Sequence, residues 1–194
     1  MPTVNFITKQ IQYKIVYYGT GLGGKTTNLK YIHSQVASKD RTELIIMATE
    51  TERTLYFDYL GLDLGDIQGM QAKFSIYTVP GQWEYSASRK LLLNGVDGIV
   101  FVSDSSPSRR DENKKALLDM IENLATYKRK LVDIPCVLQY NKRDLTSVLP
   151  ISVMENDLNL LKVPAFEASA IEGYGVFSTL KGITKLVCEL DTKV

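Results

Sequence analysis

The chain has little of what most specialised chemistries require. Among its 194 residues are two cysteines (Cys136 and Cys188), one histidine (His33) and one tryptophan (Trp83). The cysteines sit in apolar surroundings, and no Cys-x-x-Cys or Cys/His cluster is present, which argues against zinc or thiol redox chemistry. Both read as reduced packing residues, and His33 as a helix-surface residue without a role. Charge of one sign is also missing: 23 basic and 22 acidic side chains leave a net charge of +1. Such a balance gives no field to gather nucleic acid or an anionic membrane. The basic runs Arg109-Arg110 and Lys128-Arg129-Lys130 therefore read as solvated helix ends. No apolar run is long enough to span a bilayer. The start, MPTVNF, has no signal-peptide pattern and no glycine at position 2 for myristoylation, and Cys188 lies too far from the end for a prenylation box. The expectation is one soluble cytoplasmic domain, residues 1–194, with no nucleic-acid partner and no integral membrane segment.

What is present suits a compact α/β domain: 44% of residues are hydrophobic and 23% charged, enough for a real core. Strand and helix periods alternate. Ile15–Tyr18, Leu44–Met47, Ile99–Val102, Cys136–Tyr140 and Ala165–Ala168 read as strands. Residues 55–64 and 70–79, flanking a Gly65–Gly69 turn, are expected to pair antiparallel. Helix spacing appears over Lys25–Val36, Asn113–Tyr127 and Val176–Leu190, and a Ser152/Glu155 capping box starts another helix running to about Leu161. The predicted architecture is three layers, a mostly parallel sheet with helices on both faces. Ligands of such sheets bind outside the carboxyl ends of the strands, so the loops there are the ones to inspect.

The first such loop is GTGLGGKTT, residues 19–27, with a strand before it and a helix after it. It fits Gly-x-x-x-x-Gly-Lys-Thr in the context that motif requires. Glycines let successive amides turn inward on phosphate oxygens, and the helix N-terminus adds partial positive charge. Lys25 can reach the β- and γ-phosphates, and the Thr26 hydroxyl can ligate Mg²⁺. A side chain at Gly21 would crowd the γ-phosphate. The ligand is a nucleoside triphosphate or its product.

The base is read from Asn141-Lys142-Arg143-Asp144, which follows the strand CVLQY. A carboxylate at Asp144 can accept from both N1–H and the 2-amino group of guanine, whereas adenine offers neither donor. Leaving such buried polar groups unpaired is a strong basis for rejection. Asn141 can brace the loop, and the Lys142 stem can lie over the base. Glu167-Ala168-Ser169-Ala170 follows the next strand and resembles a loop whose amides meet the guanine carbonyl. Together with the phosphate loop, these motifs specify guanine.

TVPGQWEY, residues 78–85, looks like a switch hinge in which Gly81 meets a phosphate and Gln82 aims a water. Such a hinge normally carries an acidic residue three positions before the glycine, where this chain has Thr78. A hydroxyl brings no negative charge, so support for Mg²⁺ is expected to be weaker or to come from elsewhere, with Asp58 and Asp104 both open as the source.

These motifs stand in the order found in Ras-like small GTPases. ATETERTLYFD at 48–58, YTVPGQ at 77–82 and ASRKLLLNGVDGIVFVSDS at 87–105 narrow the resemblance to the MglA-type bacterial GTPases of gliding motility and cell polarity, which characteristically have TVPG there. The resemblance covers nearly the whole chain. It implies the P-loop small GTPase fold with an extra strand, slow GTP hydrolysis without help, and activation by a dimeric Roadblock-fold partner (MglB-like) at the switch surface. It further implies effectors that bind according to the nucleotide, and a cytoplasmic protein recruited to a cell pole. By the same resemblance Leu22, Gly23, Gly24, Lys25, Thr26 and Thr27 surround the phosphates of GTP or GDP. Thr54 joins Thr26 on Mg²⁺, Gly81 offers its amide to the γ-phosphate, and Gln82 positions the attacking water. Arg53 is the arginine finger supplied in cis; Asn141, Lys142 and Asp144 hold guanine, with Ser169 and Ala170 beside it. Thr20 stands where proline is expected, and Trp83 follows the glutamine as a bulky neighbour. Trp83 and Tyr85, with Tyr56 and Tyr59, are candidate anchors for the regulator, and Phe57 is a core residue. Two rivals are a GTP-dependent scaffold with negligible hydrolysis and an ATP-dependent kinase; the guanine motifs oppose the second.

Overall fold

The computed structural model describes residues 2–46, 57–67, 69–81 and 85–191. Its centre is β2 (Gln10–Gly19), in which Tyr13, Ile15 and Tyr17 alternate with Val16 and Tyr18, all buried. Both faces of the strand are therefore covered, as parallel central strands require. β5 (Met70–Thr78) lies parallel on one side of β2, and β6 (Gly98–Asp104), β7 (Cys136–Asn141) and β8 (Ala165–Glu167) follow in parallel on the other. β4 (Asp58–Ile67) joins β5 antiparallel, from Asp58 opposite Thr78 to Ile67 opposite Met70, so the expected hairpin is present. The two-residue β3 (Ile45–Ile46) closes that edge. The short β1 (Thr3–Asn5) lies antiparallel beside the start of β2, where β6 has not yet begun to pair.

Among the described residues five helices cover the sheet. α1 (Lys25–Gln35) and α5 (Val176–Asp191) lie on one face, where Leu29, Ile32, Leu180 and Ile183 pack with Tyr13, Ile15 and Phe74. α2 (Ser86–Leu93), α3 (Arg110–Ala125) and α4 (Ile151–Leu158) lie on the other, where Leu93, Met120, Leu124 and Met154 meet Val16, Phe101 and Leu138. The doubly covered, mostly parallel sheet has the predicted architecture.

Three local features differ from expectation. α2 was not evident from residue pattern; its buried positions, Ser88, Arg89, Leu92 and Leu93, include two polar side chains that blur the apolar stripe. β1 is a three-residue exposed strand with no alternation to detect. The Ser152/Glu155 capping box does not form. α4 starts two residues earlier than Ser152 would allow, after Pro150, and no side chain caps it. With Pro150 at the N-cap the third helical residue is Val153, so Glu155 lies too far along the helix to close a box. Glu155 instead accepts from the Tyr140 hydroxyl at 2.8 Å and from Asn159 Nδ2 at 2.8 Å.

Candidate functional site

The carboxyl ends of β2, β5, β6, β7 and β8 open onto one end of the sheet, and the predicted motifs converge there. Residues 19–24 leave β2 and enter α1 through Gly24, whose φ is +97°. A Cβ on Gly24 would lie 2.1 Å from Asn141 Nδ2, so only glycine fits both the dihedral and the space. Leu22 is also left-handed, at φ +60°, with its side chain 88% exposed. A leucine in that region costs about 1–2 kcal/mol relative to the right-handed form. Alternation of hand along a loop turns successive amides to one side, which is how a phosphate nest is built.

Lys25 is buried, and its Nζ donates to the carbonyls of Gly19 at 2.9 Å and Thr20 at 2.7 Å. Burial lowers its pKa to about 7; the Asp58 charge opposes that shift, and Arg89 and Arg109 reinforce it. Phosphate oxygens would supply the charge this ammonium lacks.

Thr26 Oγ1 donates to Asp58 Oδ2 at 2.6 Å, and Thr78 Oγ1 donates to the same oxygen at 2.7 Å. The Asp58 amide in turn donates to Thr78 Oγ1 at 3.1 Å. Of the two carboxylates left open by the sequence, Asp58 is therefore the one at the Thr26–Thr78 position. Asp104 serves elsewhere, its Oδ2 lying 2.7 Å from Lys142 Nζ. Burial pushes the Asp104 pKa up, but hydrogen bonds from Lys142 and from the amide and hydroxyl of Ser106 outweigh it and hold the carboxyl below its usual range. Two hydroxyls and a carboxylate form a hard oxygen set that suits Mg²⁺.

Asn141 ties three motifs together. Its Nδ2 donates to the Gly23 carbonyl at 2.8 Å, and its Oδ1 accepts from the Ala170 amide at 2.9 Å. The bracing role is thus explicit, and the Ala170 amide is engaged by this side chain. Ser169 is buried, its amide bonded to the Tyr174 carbonyl and its hydroxyl without a protein partner. Lys142 takes φ +65°, and Asp144 is exposed at the loop surface. Arg143 holds the loop from behind, donating to Glu167 Oε2 at 3.0 Å and the Leu149 carbonyl at 2.8 Å. Beneath it all, Asn28 and Gln139 exchange side-chain amide bonds of 2.8 and 3.0 Å, Gln139 also donates to Thr179 Oγ1 at 2.9 Å, and Asn28 donates to the Gly24 carbonyl at 2.9 Å. All three are fully buried.

Gly81 packs directly on the phosphate loop. A Cβ on Gly81 would lie 2.1 Å from the Gly21 Cα, and one on Gly21 would lie 3.1 Å from the Gly81 carbonyl oxygen. Thr27, half-buried, is in the first turn of α1. Arg53, Thr54, Gln82, Tyr56 and Trp83 lie outside the described residues. Of the remaining aromatics near the hinge, Phe57 packs against the core as expected and meets Tyr77 at 5.7 Å between ring centroids. Tyr59, paired with Tyr77 across the β4–β5 ladder, also meets it, 5.1 Å between ring centroids.

The structure divides the basic pair at 109–110. Arg110 forms a bidentate pair with Asp157, at 2.6 and 3.1 Å. Arg109, at the end of a 3-10 turn (Pro107–Arg109), donates to Thr20 Oγ1 at 3.1 Å and the Gly21 carbonyl at 2.7 Å. Arg110 is thus an exposed first residue of α3, as expected, whereas Arg109 is turned in onto residues 20–21. The available signal was position, five residues past the end of β6, in one of the loops where ligand-binding residues gather.

Comparison with known proteins identifies the family of the chain. A family model described as the ADP-ribosylation factor family matches residues 1–187. The chain belongs to that family, as a small GTPase of the MglA type. It is 49% identical over 187 residues to the mutual gliding-motility protein MglA of Myxococcus xanthus strain DK1622, a match covering 96% of each chain. Membership in a small GTPase family implies a guanine nucleotide as ligand. Among the described residues no helix is long and apolar enough to cross a membrane.

Proposed function

We propose that this protein is a GTP-driven switch that hydrolyses GTP to GDP and phosphate, acts in motility and cell polarity, and is accelerated by a Roadblock-fold dimer of the MglB kind. The observation that carries the reading is the Asn141 side chain. One residue of the base motif holds a carbonyl of the phosphate loop and an amide of the 167–170 loop, so the two ends of a guanine nucleotide are met by one hydrogen-bonded unit.

In this mechanism Lys25 exchanges its carbonyl partners for the β- and γ-phosphates, while Leu22, Gly23, Gly24, Thr26 and Thr27 cradle the phosphates with backbone amides. Thr26, Asp58 through its bond to Thr26, and Thr54 would hold Mg²⁺, which when bound neutralises charge on the phosphate oxygens. Gly81 presents its amide to the γ-phosphate, Gln82 orients the attacking water, and Arg53 meets the charge that develops. Asp144 accepts from guanine, with Lys142 over the base and Ser169 and Ala170 at its edge. The output is conformational: the γ-phosphate orders the segments around Thr54 and Gly81, and hydrolysis releases them to change effector binding. The protein would act from the cytoplasm and be recruited to a cell pole through its partners.

The test combines displacement of a fluorescent guanine nucleotide by GTP or ATP with single-turnover phosphate release, with and without the Roadblock partner. GTP-selective displacement and partner-stimulated release are expected. Selective binding without stimulated release would make the chain a scaffold, and displacement by ATP would overturn the base assignment.

A further inference from the structure

We propose that Arg109 is a positioning residue for the γ-phosphate end of the phosphate loop. The proposal rests on the nucleotide reading above. In a phosphate loop the amides face the ligand and the carbonyls face away, so the outward carbonyls need partners of their own. Arg109 Nη2 supplies one, 2.7 Å from the Gly21 oxygen, and also donates to the Thr20 hydroxyl at 3.1 Å. Gly21 is the residue on which Gly81 packs. The guanidinium therefore grips the outer side of the segment whose inner side faces the hinge.

Its anchorage is firm. Asp104 Oδ1 accepts from the Ser106 amide at 2.9 Å and hydroxyl at 2.7 Å, and Asn113 bonds both the amide and the carbonyl of Asp104, at 3.0 and 2.8 Å. The same Asp104 carboxylate holds Lys142 of the base motif. Residues 104–109 thus form a strut from the guanine loop to the γ-phosphate side of the phosphate loop. Glu112 Oε1, 3.8 Å from Arg109 Nη1, partly balances the guanidinium without taking the donor that faces Gly21. Thr20 has a part of its own here, because proline at that position would offer no hydroxyl.

The experiment measures release of a fluorescent GDP and of a fluorescent non-hydrolysable GTP analogue from the full chain, with melting curves alongside. A charge-assisted bond to one carbonyl predicts release of the GTP analogue on the order of tenfold faster in Arg109→Ala, with GDP release changed only about twofold. Arg109→Lys recovers part of the loss, since an ammonium reaches a carbonyl but not both partners in one plane. Thr20→Val has a smaller effect and adds little on top of Arg109→Ala. Equal acceleration of both nucleotides, or unchanged release of the GTP analogue, overturns the proposal. Should Arg109→Ala fail to fold, Arg109→Lys and Thr20→Val carry the same comparison between nucleotides. A native chain that holds neither nucleotide would instead refute the nucleotide reading, and this inference with it.

Discussion

Asp58 and Thr78 face each other across the β4–β5 ladder, with the Thr78 hydroxyl 2.7 Å from the Asp58 carboxylate. The acid that a switch hinge ordinarily carries at position 78 has in effect moved one strand sideways. The hydroxyl that remains orients it, accepting from the Asp58 amide while donating to its carboxylate. Exchanging the two residues, as the double variant Asp58→Thr/Thr78→Asp, should therefore preserve Mg²⁺-dependent nucleotide retention. Asp58→Asn alone should raise the Mg²⁺ concentration needed to slow nucleotide release by about tenfold, because the oxygen that accepts from both Thr26 and Thr78 loses its charge. Thr78→Asp alone sets two carboxylates together and should lower stability. A Mg²⁺ titration of nucleotide release reads all three; an unaltered Asp58→Asn profile would rule out the carboxylate.

Gly24→Ala should remove nucleotide binding while leaving the fold in place. The added methyl meets Asn141 Nδ2 at 2.1 Å and must adopt φ +97°. The dihedral alone costs about 1–2 kcal/mol. A melting point lowered by several degrees, together with a loss of affinity of more than tenfold, is the expected pair of results. Retained affinity would mean that the Asn141 brace gives way without consequence.

Gly21→Val should retain nucleotide and hydrolyse poorly even with the activating partner. The crowding falls on the Gly81 carbonyl, only 3.1 Å from a Cβ at position 21, as well as on the γ-phosphate. Stimulated single-turnover phosphate release is the readout, and a native rate in the variant would refute the geometry.

Asp119→Ala should destabilise the domain strongly. Arg89 on α2 donates Nε to Asp119 Oδ2 on α3 at 2.9 Å, and the two side chains are only 5% and 16% exposed. The Tyr18 hydroxyl donates to the same carboxylate, and Asn123 Nδ2 donates to that hydroxyl at 3.1 Å. Removing one partner of a buried pair costs about 3–5 kcal/mol. Urea denaturation measures it, and a loss below about 1 kcal/mol would show the pair to be incidental.

Much of this was legible in the sequence because the residues involved are constrained locally. A phosphate loop needs its glycines and lysine at fixed spacing, and strands buried on both faces announce themselves as apolar runs. Asn141 reads as a brace because its place in the motif sets its neighbours. The hidden features are those set by tertiary partners. Nothing near Asp58 in sequence says that Thr78 lies across from it, and only the pairing register does. Arg109 looks like surface charge until the loop after β6 is folded against Thr20 and Gly21. Glu155 looks like a cap until Tyr140 and Asn159 claim it. Cys136 fits its sequence expectation, since burial pushes its thiol up to about 12 and leaves it unreactive.

The paired amides of Asn28 and Gln139 have one more implication. Asn28 is one turn beyond Gly24 on α1, and Gln139 is two residues before Asn141 on β7. The phosphate end and the base end of the pocket are therefore bolted to a common plate, with Thr179 of α5 as a third fixing. Two independently sprung jaws could trade grip at one end for grip at the other. A shared anchor cannot: any displacement of Asn28 or Gln139 is felt on the Gly24 side and the Asn141 side together.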